Sequence, residues 1–259
     1  ESVQNYSFYK REYKIFSEGE YVEPQTYIGE WEPVFLKNNS TISSFRDFNI
    51  RSGYSYQYIM YPYSGDNKET KANEGAPIKV RWEYWSLVEL QEAETPVETP
   101  SIKKTYIADT NNIWFFKYNL EVGAQKQNIA KNQIQTLGEM PRVSVGQLNY
   151  ISGSVSCLLG SEITCGGRYI ERMKQARNQP LSTNEKIYML QQWRKIVKSK
   201  NPKLLRDGKG QAWIVQITDG DNAPRITIHE QPDNIQFSWV QIDDTKNVII
   251  YGLTNNDTK

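Results

Sequence analysis

The chain contains one histidine, His229, and any catalytic triad that relies on a histidine base would have to use it. This histidine ends the run Ile226-Thr227-Ile228-His229, whose alternation is typical of a strand. The nearby carboxylates of Asp221 and Asp233 are more typical of turns than of a group that orients a base. The sequence has no Gly-x-Ser-x-Gly elbow, Walker loop or dinucleotide fingerprint. We therefore expect a protein that is not an enzyme.

Metal and thiol chemistry also have few candidate residues. Cys157 and Cys165 lack the short Cys-x-x-Cys spacing of zinc sites. A hairpin disulfide between them is geometrically possible, but without a disulfide framework we expect two reduced thiols. The run Asp219-Gly220-Asp221-Asn222 resembles the start of a calcium loop but lacks the later ligand spacing of such a loop, so it indicates a turn. We expect no metal and no cofactor.

Composition excludes several classes of partner. The 259 residues include 31 Lys and Arg against 30 Asp and Glu, a net charge of +1. A chain so close to neutrality has no global field that would attract nucleic acid or an acidic membrane. No apolar run approaches the roughly 20 residues of a membrane helix. We expect no direct nucleic-acid recognition and no membrane insertion, and the 17 tyrosines favour sheet faces and contact surfaces.

The first part of the chain is typical of a β-sandwich. Strand patterns cover Tyr6–Phe16, Trp31–Phe35, Phe45–Met60 and Val80–Leu90. Together with the spacing of Ile50, Gly53 and Tyr56, which resembles the corner of fibronectin type III and other immunoglobulin-like sandwiches, they predict a module of this kind over residues 1–90.

The spacing of a tyrosine corner lies inside this module. Ile50 precedes Tyr56 by six residues, with Gly53 in the turn between them. This spacing resembles the corner in which a tyrosine hydroxyl bonds to the upstream backbone of a sandwich. The alternative is that Tyr54, Tyr56 and Tyr58 are only strand formers on a sheet of another topology.

A linker and a second β domain are expected to follow. Residues 91–101 carry three glutamates and two prolines with almost no bulky apolar group, which is typical of a linker. Strand patterns at Ile113–Leu120 and Val143–Leu159 place a second domain over residues 102–246. Residues 247–259 are expected to form a C-terminal tail.

One helix is predicted near residues 183–199. Its signals are a capping box at Ser182–Glu185 and Pro202 beyond its end. Residues at helical spacing form its apolar stripe, namely Ile187, Leu190, Trp193 and Val197. Beyond the helix, Asp207-Gly208 and Lys209-Gly210 indicate a hairpin turn between strands.

The segment from Gln125 to Glu139 is polar throughout, which is typical of a long exposed loop. We predict that this loop contacts neighbouring subunits, because polar side chains can bond across a surface while the monomer stays soluble. The candidate residues are Gln125, Lys126, Asn128, Lys131, Asn132, Gln133 and Gln135.

Several motifs, taken together, resemble tail and baseplate proteins of phages that infect low-GC Gram-positive bacteria. They are Asn112–Glu121, Leu137–Pro141, Gly146–Val155, the stretch Trp193–Trp239, and Phe45-Arg46-Asp47-Phe48 followed by Ser52-Gly53. The last of these is similar to the fibronectin-like module that often precedes the region.

This resemblance implies a mainly β protein whose second domain is a barrel or sandwich with one packed helix, as in tail-tube proteins. It implies assembly into a ring, commonly of six copies, that joins neighbouring tail proteins in a virion assembled in the host cytoplasm. The main alternative is a carbohydrate-binding β-sandwich, which the aromatic content of 12% would suit. An enzyme that uses a carboxylate pair is the third alternative.

Overall fold

The computed structural model describes residues 5–16, 25–28, 30–37, 45–63, 73–93, 104–116, 118–134, 142–158, 183–220 and 234–253. Within these residues the chain is mainly β with one α-helix, which confirms the predicted fold class. The chain forms two compact units. Unit 1 comprises Glu1–Ile113, Leu204–Trp213 and Asp244–Lys259, and unit 2 comprises Trp114–Lys203 and Ile214–Asp243.

The first twelve strands precede the helix in the chain. They are β1 (Asn5–Phe16), β2 (Gln25–Ile28), β3 (Glu32–Lys37), β4 (Phe45–Asp47), β5 (Ser55–Tyr63), β6 (Asn73–Glu74), β7 (Ile78–Lys79), β8 (Trp85–Glu92), β9 (Lys104–Phe116), β10 (Tyr118–Val122), β11 (Lys126–Ile134) and β12 (Arg142–Leu158). The remaining elements are α1 (Thr183–Lys198), β13 (Lys203–Arg206), β14 (Ala212–Asp219), β15 (Asn234–Asp243), a 3₁₀ turn (Thr245–Asn247) and β16 (Val248–Leu253).

Unit 1 contains two sets of paired strands. The first has the order β2-β1-β5-β6, with β3 also on β1 and β7 also on β5, and all of its pairs are antiparallel. The second has the order β13-β8-β9-β16-β4. In this set β16 runs parallel to β9, with Val248 opposite Lys104, and antiparallel to β4.

The two sets face each other across a shared core, which makes unit 1 a β-sandwich. From the first set, Val34 is buried and Phe8 and Tyr58 pack beside it. From the second set, Ile249 and Tyr251 are buried. Because these side chains contact one another, the apolar faces of both sets are removed from water together.

The tyrosine corner is present in unit 1. Tyr56 is buried, and its hydroxyl oxygen accepts a hydrogen bond from the backbone N–H of Arg51 at 2.9 Å. Gly53 adopts a φ of +86°, a left-handed conformation that favours glycine, and its N–H donates to Val80. The predicted bond from a tyrosine to the upstream backbone is therefore confirmed.

The predicted hairpin after the helix is also confirmed. Asp207 closes the turn, because its carboxylate accepts N–H bonds from Lys209 at 3.0 Å and Gln211 at 2.7 Å. Gly210 takes a φ of +90°. The turn connects β13 to β14, and Trp82 donates its indole N–H to the Asp207 carbonyl at 2.9 Å.

Unit 2 is built on antiparallel strands and the helix. Its strand order is β10-β12-β15-β14, with β11 also paired to β12. Helix α1 buries Leu190, Trp193 and Ile196. Ile187 is 41% exposed, so its predicted place in the buried stripe is wrong: the buried face is centred nearer Trp193 and Ile196. The ammonium of Lys203 donates to backbone carbonyls just past the end of the helix, including that of Ser199 at 2.7 Å.

The sandwich of unit 1 takes strands from beyond the first ninety residues. Strands β9 and β13 lie within residues 102–246, which the sequence patterns predict as a second domain, and β16 lies within residues 247–259, which are predicted as a C-terminal tail. Strand β8 continues to Glu92, and the N–H of Ala93 bonds to Thr105, so strand pairing extends into the segment predicted as a linker. Residues 94–103 lie outside the described part of the chain.

Candidate assembly surface and polar cleft

The segment predicted as an exposed loop forms strand β11 over Lys126–Ile134. The prediction of a loop is wrong for these residues, and residues 135–139 lie outside the described part of the chain. The reason is physical: a strand is held by its backbone ladder, and polar side chains do not prevent that ladder from forming. A strand that buries neither face lacks the apolar alternation by which strands are recognised in sequence.

Strand β11 and the first part of β12 form a two-stranded ribbon. Their register runs from Lys126 opposite Ser152 to Ile134 opposite Arg142. Within the described residues β11 pairs with β12 alone, and β12 pairs with β15 only from Ser152 onward. We call residues 126–134 together with 142–151 the ribbon.

The described side chains of β11 are accessible to water on both faces of this strand. Successive residues of a strand point to opposite faces. Among the side chains of β11 that the structure describes, only that of Asn128 is half-buried and the others are exposed, namely Lys126, Gln127, Ile129, Ala130 and Lys131. Cross-strand bonds tie the base of the ribbon, from Gln127 to Asn149 at 3.0 Å and from Asn128 to Ser152 at 2.8 Å.

The structure therefore collects most of the predicted contact residues on one strand. Lys126, Asn128 and Lys131 lie in β11 with described side chains, and Gln125 immediately precedes it and is exposed. Asn132 and Gln133 lie in the same strand, and only their backbone is described. Gln135 lies outside the described residues.

A second candidate site is a cleft of about 580 Å³ in unit 1. Its lining is balanced in charge: Glu12, Glu30 and Glu32 carry negative charge, Lys10, Arg51 and Lys246 carry positive charge, and Asn49, Tyr54, Tyr56 and Thr245 are uncharged. This balance and the hydroxyl and amide groups suit polar, hydrogen-bonding ligands or side chains.

The Asp47 carboxylate does not line this cleft but holds two residues that do, Lys10 and Asn49. It accepts hydrogen bonds from the Lys10 ammonium at 2.9 Å, the Tyr58 hydroxyl at 3.0 Å and the backbone N–H of Asn49 at 2.9 Å. Lys10 also donates to the Asn49 carbonyl. Burial, and then the nearby charge of Asp47, raise the pKa of Tyr58, so this phenol stays protonated and acts as a donor.

Two further groups complete the wall of the cleft. The Arg51 guanidinium lies 3.8 Å from the Glu12 carboxylate and 5.1 Å from the centre of the Tyr54 ring. Burial raises the pKa of Tyr56, which is held by the corner bond to Arg51. Sequence patterns could not reveal this site, because Lys10 and Asp47 are far apart in the chain and neither belongs to a motif that signals their contact.

The residues considered for catalysis and metal binding are only partly described. His229, Asp221, Asp233 and Cys165 lie outside the described part of the chain. Among the residues that are described, no three His, Cys, Asp or Glu side chains are grouped so that they could hold a metal ion. Cys157 is a buried free thiol, and burial raises its pKa to about 12, which suppresses thiolate reactivity.

Two further findings concern membranes and known proteins. The helix that the structure describes is too short and too polar to cross a bilayer. Neither a scan of protein-family models nor a search of curated proteins yields a match to this chain.

Proposed function

We propose that this chain is a non-enzymatic structural protein that assembles with copies of itself into a ring, as a component of a phage tail or baseplate. The motifs that resemble tail and baseplate proteins support the virion setting. The second domain would then be the tail-tube-like part, and neighbouring tail proteins would be its further partners. The observation that supports self-assembly is the exposure of the ribbon.

The ribbon has properties expected of a surface that binds a partner. The described side chains of β11 are exposed on both of its faces, and a two-stranded ribbon is marginal alone. The outer edge of β11 has no strand beside it among the described residues, so its backbone donors and acceptors can pair with another chain. Lys126 and Lys131 keep this edge from pairing indiscriminately. In a closed ring each such contact is repeated at every interface.

The direct test is to shorten the ribbon. Ile129 and Asn149 are opposite each other in the register, so residues 130–148 can be replaced by Asn-Gly, a two-residue hairpin turn. We expect a protein that melts as before and no longer assembles, as measured by light scattering coupled to size exclusion. The matched control is Lys209→Ala, an exposed change in the turn of unit 1, which should assemble normally. Unchanged assembly of the shortened protein would refute the role of the ribbon.

The cleft supports a second candidate function, the binding of a short uncharged glycan. Its volume lies in the range of small-molecule sites, and Tyr54, Asn49 and Glu12 offer an aromatic surface with hydrogen-bonding groups. A glycan array would show discrete signals that Tyr54→Ala abolishes if this alternative holds. An array without signal from a folded protein excludes it for the sugars tested and leaves assembly as the function.

A further inference from the structure

The cleft of unit 1 opens between its two sets of strands. Phe8 of strand β1 packs in the shared core, and Lys10 and Glu12 follow it on the same face, since alternate residues of a strand point to one side. The 3₁₀ turn that leads into β16 brings Lys246 to the same cleft from the second set. Charged groups between two sheets cost free energy unless they are paired or solvated, so the partner of each charge indicates what the cleft can bind.

Four of the six charged side chains in the lining already interact within the protein. The Lys10 ammonium binds the Asp47 carboxylate at 2.9 Å, and the Arg51 guanidinium lies 3.8 Å from the Glu12 carboxylate. Glu32 also has an interaction of its own. A ligand that bound one of these four groups through its charge would have to compete with the partner already present.

The two remaining charges are one carboxylate and one ammonium. Glu30 and Lys246 are both exposed, and among the described residues neither forms an ion pair. Glu30 lies shortly before β3 of the first set, whereas Lys246 lies in the turn before β16 of the second set. The backbone of Lys246 is fixed, because its N–H donates to the Asp244 carboxylate at 3.0 Å. The cleft therefore offers one unpaired charge of each sign, from two different walls.

This arrangement favours a ligand that carries both charges. An anion attracted by Lys246 is repelled by Glu30, a cation meets the reverse, and an uncharged molecule leaves both groups unmatched. The size of the cleft limits the separation of the two ligand charges. The cube root of its volume of about 580 Å³ is about 8 Å, and an extended peptide spans about 3.3 to 3.6 Å per residue.

We propose that the cleft of unit 1 binds a short zwitterionic peptide of about two or three residues, whose ammonium end pairs with Glu30 and whose carboxylate end pairs with Lys246. This site lies outside the ribbon and does not require assembly, so it goes beyond the proposed function. The ligand also differs from the uncharged glycan considered above, because such a sugar has no charged group for either side chain.

Isothermal titration calorimetry of the full chain with dialanine and trialanine tests the proposal. We expect binding that N-acetylation or C-terminal amidation of the peptide weakens by about tenfold or more, because each removes one charged contact. Glu30→Gln should abolish the effect of acetylation alone, and Lys246→Gln the effect of amidation alone. The matched controls are Glu92→Gln and Lys209→Gln, exposed charges of unit 1 outside the cleft, which should bind as the wild type does. Thermal melting confirms that each variant is folded.

The results separate this inference from self-assembly. Binding in which each variant becomes insensitive to its own end of the peptide supports the proposal, even if the chain is a monomer. Failure of both peptides to bind at millimolar concentration overturns it, and so does binding that the two cleft variants leave unchanged. A neutral sugar that binds the cleft where both peptides fail would assign the cleft to the glycan instead.

Discussion

Replacement of Trp193 by alanine should remove the largest contribution of α1 to unit 2. The side chain is 1% exposed and lies against three aromatic rings, with centroid distances of 5.2 Å to Trp114, 6.0 Å to Phe116 and 5.5 Å to Phe237. A buried tryptophan replaced by alanine costs about 3 to 5 kcal/mol. Each aromatic pair contributes about 0.5 to 1.5 kcal/mol beyond its buried area. We therefore expect Trp193→Ala to lower the free energy of unfolding by about 4 to 5 kcal/mol.

Urea unfolding followed by near-ultraviolet circular dichroism measures this loss, because tryptophan in a fixed environment dominates that signal. Arg194→Ala is the matched control: it changes the next residue of the same helix on an exposed face and should alter the free energy of unfolding by at most about 0.5 kcal/mol. A loss below about 1 kcal/mol for Trp193→Ala would refute the packing argument. Unchanged stability together with failed assembly would place Trp193 at an interface between copies.

Three further predictions concern single side chains. Tyr56→Phe leaves the N–H that bonds its hydroxyl without that acceptor and should lower the free energy of unfolding by about 1 to 3 kcal/mol in urea titrations. Gly153→Ala would place a Cβ 2.8 Å from the Trp239 ring and should cost about 1 to 3 kcal/mol, whereas Gly75→Ala, with 3.5 Å to its nearest neighbour, should melt closer to wild type. Burial raises the pKa of Cys157 from 9.0 to about 12, so its contribution to stability is complete below pH 9 and is lost as the pH rises toward 12. Cys157→Ala should therefore flatten the fall in stability between pH 9 and pH 12. Labelling of Cys157 by iodoacetamide, mapped by mass spectrometry, should be slow in the native protein and fast in urea.

Local elements with a strong periodic signal could be predicted from the sequence. The aromatic run at Tyr6–Phe16 corresponds to β1, the capping signals correspond to the start of α1, and the glycines after Asp207 correspond to the hairpin turn. Each of these depends on residues that are neighbours in the chain, so the pattern and the structure report the same local preference. The corner bond of Tyr56 is likewise a contact over only five residues.

Features that depend on distant pairing could not be predicted in this way. Strand β9 begins before unit 2 in the sequence and strand β16 follows it, yet the two strands pair in parallel. No local sequence pattern encodes this pairing. Strand β11 differs from the predicted loop because a strand exposed on both faces has no apolar alternation to detect. The Asp47 carboxylate accepts bonds from the side chains of Lys10 and Tyr58 and from the backbone N–H of Asn49, which lie on three separate strands or turns.

The most direct test of the central claim is the mass of the purified chain in solution, measured by light scattering over a range of concentrations and followed by electron microscopy of the same sample. We predict a closed, discrete assembly of several copies that appears as a ring and whose formation requires the ribbon. A chain that stays monomeric at every concentration, and is retained by a glycan through the cleft of unit 1, would contradict the account.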